Sequence, residues 1–233
     1  MPDPIIARCI DLETTGLPED EGAEIIEIGR IDVHIPTRRI GRPWSTLVRP
    51  RGPIPAVTKA VHHITEKDVE GAPSLREVWD RIFSDIGPAD VLVAHNDKME
   101  KHFLGDVGHQ FICTYKCARV VWPDAPGHSN QVLRYWLGIE LDADQASPPH
   151  RALPDAYVTA HILARLLETK TIAEMVNISK FPALLTVMNF GKHRGTRFED
   201  APADYLEWIR DKSEMDEDTK FSARYWLRKR MSE

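Results

Sequence analysis

The sequence predicts an α/β fold in which helices flank a mixed β-sheet, followed by a small α+β module at the C-terminus. Two observations predict it. Three apolar, strand-like segments with short connections occupy about 4–14, 23–35 and 39–49. Beyond about residue 70, helical spacing alternates with short apolar runs. Strands joined by short links pair antiparallel, and the strands between the later helices extend the same sheet.

The first three strands differ in pattern. Residues 4–14 form an apolar run that enters acidic residues, which is typical of a buried central strand. In the second segment the apolar phase changes near Gly29, so we expect a β-bulge there. The third strand, 39–49, follows a turn around Pro36.

Helices follow from capping signals and periodicity. Ser74 and Glu77 have capping-box spacing ahead of apolar residues at helical intervals. A short buried strand is expected over 90–95, and Asn96 can cap a helix over about 97–107. A further short strand near 111–113 and a helix capped by Ser129 complete this region.

Residues 154–169 predict a long helix with one apolar face. Pro154 belongs in its first turn, where a missing N–H costs nothing. That arrangement puts His150 in the approach loop and Asp155 in the first helical turn.

The pattern divides the chain into a first domain over 1–170, a linker over 171–182 and a C-terminal module over 183–233. Thr171 and Glu174 form a second capping box, which predicts a short helix inside the linker. In the module we expect a hairpin over 186–199 and helices near 202–212 and 216–231.

Composition limits the function. The chain has 233 residues with 30 Lys and Arg against 36 Asp and Glu, a net charge of −6. A general nucleic-acid coat protein is normally basic, so any contact with nucleic acid must be local or use a metal. There is no run long enough to span a membrane and no secretory signal, and three cysteines cannot form a disulfide framework. We therefore expect a reduced, cytoplasmic protein that has no membrane partner.

Asp11 and Glu13 stand two residues apart at the end of the first strand. Side chains alternate along a strand, so both carboxylates point the same way. A lone pair of this kind is more often a solvated strand end. On a buried strand, however, the two repel unless a cation lies between them or a pKa rises. The Thr14-Thr15-Gly16 turn that follows can offer backbone N–H groups to an anion.

Three motifs occur in order: D-x-E-T-T-G, A-H-N-x-x-x-E and H-R-A-L-x-D. Together they resemble the DEDDh 3′–5′ exonucleases of the ribonuclease-H-like superfamily. The resemblance covers about residues 4–170 and includes Val61-His62-His63-Ile64-Thr65, and Phe190-Gly191-Lys192-x-Arg194-Gly195 is similar to the tail of a DNA-degrading member. One position departs from the family, which has Phe-Asp where this chain has Met99-Glu100.

The resemblance implies a ribonuclease-H-like fold and a two-metal mechanism with Mg²⁺, or Mn²⁺ in its place. Asp11, Glu13 and Asp155 would hold the first ion, and Asp11 with Glu100 the second. His150 would be the general base, and 5′-nucleotides would be released from a free 3′ end of single- or double-stranded DNA. The residues expected on the substrate side are Thr14, Thr15, Leu17, Ile64 and Asn96. Lys192 and Arg194 join them, because Phe190 and Phe198 flank their turn and aromatic rings stack on bases.

Three alternatives stay open at this point. The same mechanism could act on RNA, because the sequence shows no residue that clearly recognises or excludes a ribose 2′-hydroxyl. Glu100 could mark a catalytically silent nucleic-acid-binding module that kept the fold. The tail could also tether a nuclease subunit to a polymerase or repair complex.

Overall fold

The computed structural model describes residues 3–188 and 190–232. Within these ranges, six strands form one mixed sheet with helices on both faces, which confirms the predicted architecture. The strands are β1 Ile6–Thr14, β2 Ile25–His34, β3 Arg39–Ile40, β4 Trp44–Leu47, β5 Val91–Ala94 and β6 Gln110–Cys113. Their order is β3-β2-β1-β5-β6, and β4 also pairs with β2.

The central strand is β1, as its apolar sequence predicts. It pairs antiparallel with β2 and parallel with β5, and β5 pairs parallel with β6. The single third strand expected over 39–49 is instead two short strands, β3 and β4, both paired with β2. Pro43 lies between them and lacks the N–H that a continuous ladder needs.

The bulge expected near Gly29 is not there. Asp11 pairs directly with Gly29, and the register shifts only between Glu13 and Thr14, two residues further along β1. The first half of β2 is buried on both faces, so its apolar phase carries no information about a bulge. Gly29 has another purpose, because a Cβ there would overlap backbone atoms of Ala152 and Leu153.

The helices cover the two faces of the sheet and the C-terminal region. They are α1 Ala56–His62, α2 Glu66–Val69, α3 Leu75–Phe83, α4 Lys98–Leu104, α5 Thr114–Val121, α6 Asn130–Trp136, α7 Ala152–Leu166, α8 Ile172–Ser179, α9 Ala203–Lys212 and α10 Glu217–Ser232. α7 packs against β1 and β2 on one face, and α3 covers the apolar cluster on the other.

Local signals placed most helix starts correctly. The capping boxes at Ser74 and Thr171 are present, and Ser129 is the N-cap of α6. One start is wrong, since α4 is preceded by Asp97 as its N-cap while Asn96 has a left-handed φ of 64°. The structure also contains α1, α2 and α5, which the sequence analysis did not predict.

The C-terminal region has its own apolar cluster, which includes Met188, Phe198, Leu206 and Trp226. Of the expected hairpin, the described residues form an antiparallel bridge between Val187 and Arg197 but no extended strands. Backbone hydrogen bonds from Met188 to Thr196 and from Phe198 to Thr186, both 2.9 Å, also join its two arms. Residues 171–182, expected as a linker, contain α8, whose Met175 and Val176 pack into the larger cluster of the first domain. None of the helices in the described ranges is long and apolar enough to cross a bilayer.

Candidate active site

Three carboxylates meet where β1 ends beside the start of α7. Asp11 and Glu13 come from β1, and Asp155 comes from the first turn of α7. One oxygen from each lies within 4.8 Å of the others. Strand alternation and the first-turn position of Asp155 therefore give the convergence that the motifs predict.

The start of α7 is fixed by an ion pair that the sequence analysis missed. Arg151 donates from Nε and Nη2 to the two oxygens of Glu27, at 2.9 and 2.6 Å, and the Ala152 N–H donates to the same carboxylate at 3.0 Å. Glu27 is buried and stands opposite Glu13 in the sheet. Gly29 lets the helix approach β2 closely. The available signal is the Arg that follows His150, since the planar guanidinium group of Arg pairs with a carboxylate through two hydrogen bonds.

Glu100 projects from α4 and is only 3% exposed. Its Oε2 is buried and has no hydrogen-bond partner within the described residues. Burial, with the charges of Asp97 and Glu13 as smaller contributions, raises the pKa of Glu100 to about 8. A buried carboxylate oxygen without a partner costs free energy, and a bound cation would remove that cost.

The pKa values of the other acids shift in the same direction. Burial, followed by the charges of Glu100, Asp155, Glu13 and Glu27, raises the pKa of Asp11 well above its usual value. Burial and Glu27 raise the pKa of Glu13 to about 8, although Arg151 opposes the shift. Burial also raises the pKa of Asp155, against the hydrogen bond from His150.

These shifts have one physical cause. Acids crowded in a buried place hold protons unless positive charge replaces them. The donor set is entirely oxygen, which fits a hard divalent cation such as Mg²⁺ or Mn²⁺ and not zinc. The residues present therefore fit the metal that the resemblance implies.

His150 lies in the loop that approaches α7, as predicted, and is exposed. Its backbone N–H donates to Asp155 Oδ2 at 2.8 Å, and its φ is 60°, in the left-handed region. The left-handed region is uncommon for residues other than glycine and often marks a functional position. The hydrogen bond ties the backbone of the candidate base to one of the three clustered acids.

The T-T-G turn is less open than expected. The Thr15 N–H donates to the Glu24 carbonyl at 2.8 Å, and the Leu17 N–H donates to Asp20 Oδ2 at 2.8 Å. Thr14 and Thr15 are buried, whereas Leu17 is 54% exposed. An anion would therefore find the N–H groups of Thr15 and Leu17 already engaged, and Leu17 is the most exposed residue of the turn.

The other predicted substrate residues divide into exposed and buried positions. Asn96 is exposed at the end of β5, and Lys192 and Arg194 are exposed on the tail turn. Ile64 is 2% exposed and packs with Ile26 and Ile54, so its side chain belongs to the core and the predicted contact with substrate would fall to its backbone. An apolar residue in a motif can serve the core instead of the surface.

The predicted stacking aromatics of the tail are also core residues. Phe198 is fully buried, and Phe190 packs against the same cluster. In the structure, Tyr205 and Trp208 instead lie near the turn that carries Lys192 and Arg194, which we call the basic turn. The spacing of the sequence does not indicate these contacts.

Comparison with known proteins decides the family. The family described as "Exonuclease" matches residues 9–163, which is more than half of the chain. The chain belongs to this exonuclease family. The exonuclease is 35% identical over 207 residues to "Exodeoxyribonuclease 10" of Escherichia coli strain K12, covering 87% of this chain and 89% of that protein. It is 36% identical over 184 residues to a "DNA polymerase III subunit epsilon-like protein" of Rhodobacter capsulatus, which covers 76% of this chain and 25% of that protein.

A solved structure agrees with these relatives. The structure titled "Exonuclease X in complex with 5' overhanging duplex DNA" superposes with a TM-score of 0.64 at 34% identity, covering 74% of this chain and 99% of that chain. The exonuclease is thus a hydrolase of the DEDDh type that degrades nucleic acid in the 3′–5′ direction. Its acidic cluster fits the divalent metals that this family uses.

Proposed function

We propose that this exonuclease removes 5′-nucleoside monophosphates from free 3′ ends of DNA with two Mg²⁺ ions. The observation that carries the proposal is the meeting of Asp11, Glu13 and Asp155 within 4.8 Å of one another. The buried, unpartnered oxygen of Glu100 supports a cation site of the same kind. Two similar proteins support DNA as the substrate, since one is named an exodeoxyribonuclease and the other was solved in complex with duplex DNA.

Asp11, Glu13 and Asp155 would hold one ion, and Asp11 with Glu100 the other. When bound, the ions supply positive charge that stabilises the scissile phosphate and its leaving oxygen. Mn²⁺ is expected to substitute, because it accepts the same oxygen ligands. The four acids would then lose the protons that their raised pKa values favour.

His150 is the proposed general base, which accepts a proton from the attacking water. Its position before α7 is held by its own N–H to Asp155 and by Arg151 on Glu27. Arg151 and Glu27 are positioning residues that set where Asp155 and His150 stand. A small displacement of Asp155 or His150 would lower the rate of hydrolysis.

Thr14, Thr15, Leu17 and Asn96 are the proposed contacts to the terminal nucleotide. Leu17 would pack against the terminal base, since its side chain is apolar and exposed. Lys192 and Arg194 would contact phosphates further along the strand. The division into a nuclease domain up to about residue 170 and a module from about 183 is proposed with them.

The three cysteines, Cys9, Cys113 and Cys117, are buried as free thiols. Free buried thiols suit a reducing compartment, so a cytoplasmic location is proposed.

The deciding experiment is digestion of three substrates labelled at the 5′ end: single-stranded DNA, duplex DNA and RNA. With Mg²⁺ we expect a ladder that shortens from the 3′ end on DNA and no degradation after chelation. Faster degradation of RNA would overturn the assignment to DNA. If the chain bound all three substrates but cleaved none with Mg²⁺ or Mn²⁺, it would be a catalytically silent nucleic-acid-binding module and not an enzyme.

A further inference from the structure

The C-terminal module carries a row of three rings, His193, Tyr205 and Trp208, which we call the ring row. The centroids of His193 and Tyr205 lie 4.5 Å apart, and those of Tyr205 and Trp208 lie 5.6 Å apart with planes 17° from parallel. Trp208 is 44% exposed at the end of the row. The row is therefore an aromatic platform with an accessible outer ring.

The basic turn packs directly against this row. Lys192 Nζ lies 5.2 Å from the Tyr205 ring centroid. A side chain at Gly191 would overlap the Tyr205 hydroxyl, so the backbone of the turn approaches the ring closely. Arg194 is exposed on the same turn. Cationic and aromatic groups thus form one continuous surface.

The chemistry of this surface favours one kind of ligand. An exposed aromatic ring binds any base by its π-face, and neighbouring cations bind the phosphates between bases. The helix that carries Tyr205 and Trp208 also exposes Asp204 and Glu207, which would repel an acidic protein partner and a phosphate lying along the helix. The bases are therefore expected on the rings and the phosphates on the turn side.

The surface keeps a defined relation to the nuclease domain. Lys98 on α4 pairs with Asp218 on α10 at 3.0 Å, and Arg119 on α5 donates to the Leu184 carbonyl at 2.9 Å. α4 is also the helix that carries Glu100. A strand held by the module is thus held beside the domain that cleaves it.

We propose that the ring row with Lys192 is a second, non-catalytic binding site for single-stranded nucleic acid. It would retain the strand while the 3′ end is shortened. The inference rests on the proposed function, because it takes the substrate of the active site as the ligand. It extends that function by placing base stacking on Trp208, the exposed outer ring, with Tyr205 and His193 packed behind it.

The test measures binding apart from cleavage. Fluorescence anisotropy of a labelled 20-nucleotide thymidine strand, in chelator so that it stays intact, gives Kd for the full chain. Trp208→Ala should raise Kd roughly 5- to 100-fold, the range for one lost base stack. Trp208→Phe should retain most of the affinity. Lys192→Ala should flatten the plot of log affinity against log salt by about 0.7.

Tyr225→Ala is the matched control. Tyr225 is 41% exposed on α10 of the same module, and its ring contacts Trp226 instead of the ring row. Its removal should leave Kd unchanged. Equal losses of affinity in Trp208→Ala and Tyr225→Ala would show a general effect on the module and would overturn the proposal.

A second assay separates this inference from the proposed function. The p-nitrophenyl ester of thymidine 5′-monophosphate has no flanking strand, so Trp208→Ala should hydrolyse it at the parental rate with Mg²⁺. Loss of that hydrolysis would indicate a structural role for Trp208 and overturn the inference. Unchanged Kd in Trp208→Ala and Lys192→Ala would also overturn it, while the active site stands. A parent chain inert on both ester and DNA would overturn the proposed function instead.

Discussion

The backbone N–H of His150 donates to Asp155 Oδ2 at 2.8 Å, so these two residues are joined without the imidazole ring. The side chain of His150 can therefore be removed while the contact that holds Asp155 persists. The proposed general base and the proposed metal-binding acid can be tested separately for this reason.

His150→Ala should lower turnover roughly 10²-fold or more, the range for a lost general base, with metal affinity largely retained. Asp155→Asn should weaken both, because it removes an oxygen charge from the cluster. Turnover assays and calorimetric titration with Mn²⁺ measure the two effects. If His150→Ala lost metal as severely as Asp155→Asn, the assigned roles would be wrong.

Glu100 stands where the family has Asp, and it is buried with an unpartnered oxygen. We expect the site to be adjusted to the longer side chain. Glu100→Gln removes the charge and should cost far more rate than Glu100→Asp, which only shifts the carboxylate, at up to about 10²-fold for a displacement of 1 Å. Steady-state rates at saturating Mg²⁺ compare them. If Glu100→Gln kept full activity, Glu100 would have no role in metal binding and would only stabilise the first turn of α4.

Metal affinity should rise with pH. Glu13 and Glu100 have pKa values of about 8 in the folded, metal-free protein, so they retain protons near neutrality that a cation must displace. A raised carboxyl pKa stabilises the metal-free fold at low pH, and this contribution is lost as pH rises through about 8. Thermal melting with and without Mg²⁺ should therefore show a larger increase in Tm at pH 9 than at pH 6. Equal increases would contradict the raised pKa values.

Gly29→Ala should destabilise the fold by about 1–3 kcal/mol, the usual cost of overpacking, since the new Cβ meets the backbone of Ala152 and Leu153. It should also lower turnover by displacing the start of α7 and, with it, Asp155. Urea unfolding and DNA digestion measure the two effects. Gly52→Ala is the control, because a Cβ there has no atom within 4 Å and should change stability by less than about 0.5 kcal/mol.

Acid should destabilise the protein partly through His95. Burial lowers the pKa of His95 to about 4, and its Nε2 and Nδ1 lie 2.8 and 2.9 Å from the His128 carbonyl and Thr114 Oγ1. Because the pKa of this histidine is lower in the fold than in the unfolded chain, the unfolded chain is protonated first as pH falls. Stability should then fall as pH drops from about 6.5 toward 4, by at most about 3 kcal/mol because the residue is partly exposed. His95→Gln should show a smaller difference between urea unfolding at pH 7.5 and pH 5. An identical difference would contradict this role.

Local patterns in the sequence predicted the parts of the fold that depend on neighbouring residues. The capping boxes at Ser74 and Thr171 and the alternation of Asp11 and Glu13 are properties of a few consecutive positions, and the structure has them. The resemblance places Asp155 beside them, across the 141 residues that separate it from Glu13 and that periodicity alone does not bridge.

Features that depend on distant parts of the chain were missed or misread. The phase change at Gly29 predicts a bulge, whereas its actual role is to accommodate a helix that lies more than 120 residues later. The sequence does not predict the ion pair of Glu27, since its partner Arg151 lies 124 positions later in the chain. The motifs predict accessible side chains at Phe198 and Ile64, because a motif does not show which way a side chain points. Burial is a property of the packed molecule, so these positions needed the structure.

The contact between Lys98 and Asp218 also bears on the order in which the protein is made. The two residues are 120 positions apart, so the helix with Glu100 leaves the ribosome long before its partner on α10 exists. Domains generally fold as they emerge, N-terminal part first. During synthesis the helix that carries Glu100 thus lacks this contact until 120 further residues have been translated, and a segment made much later fastens it.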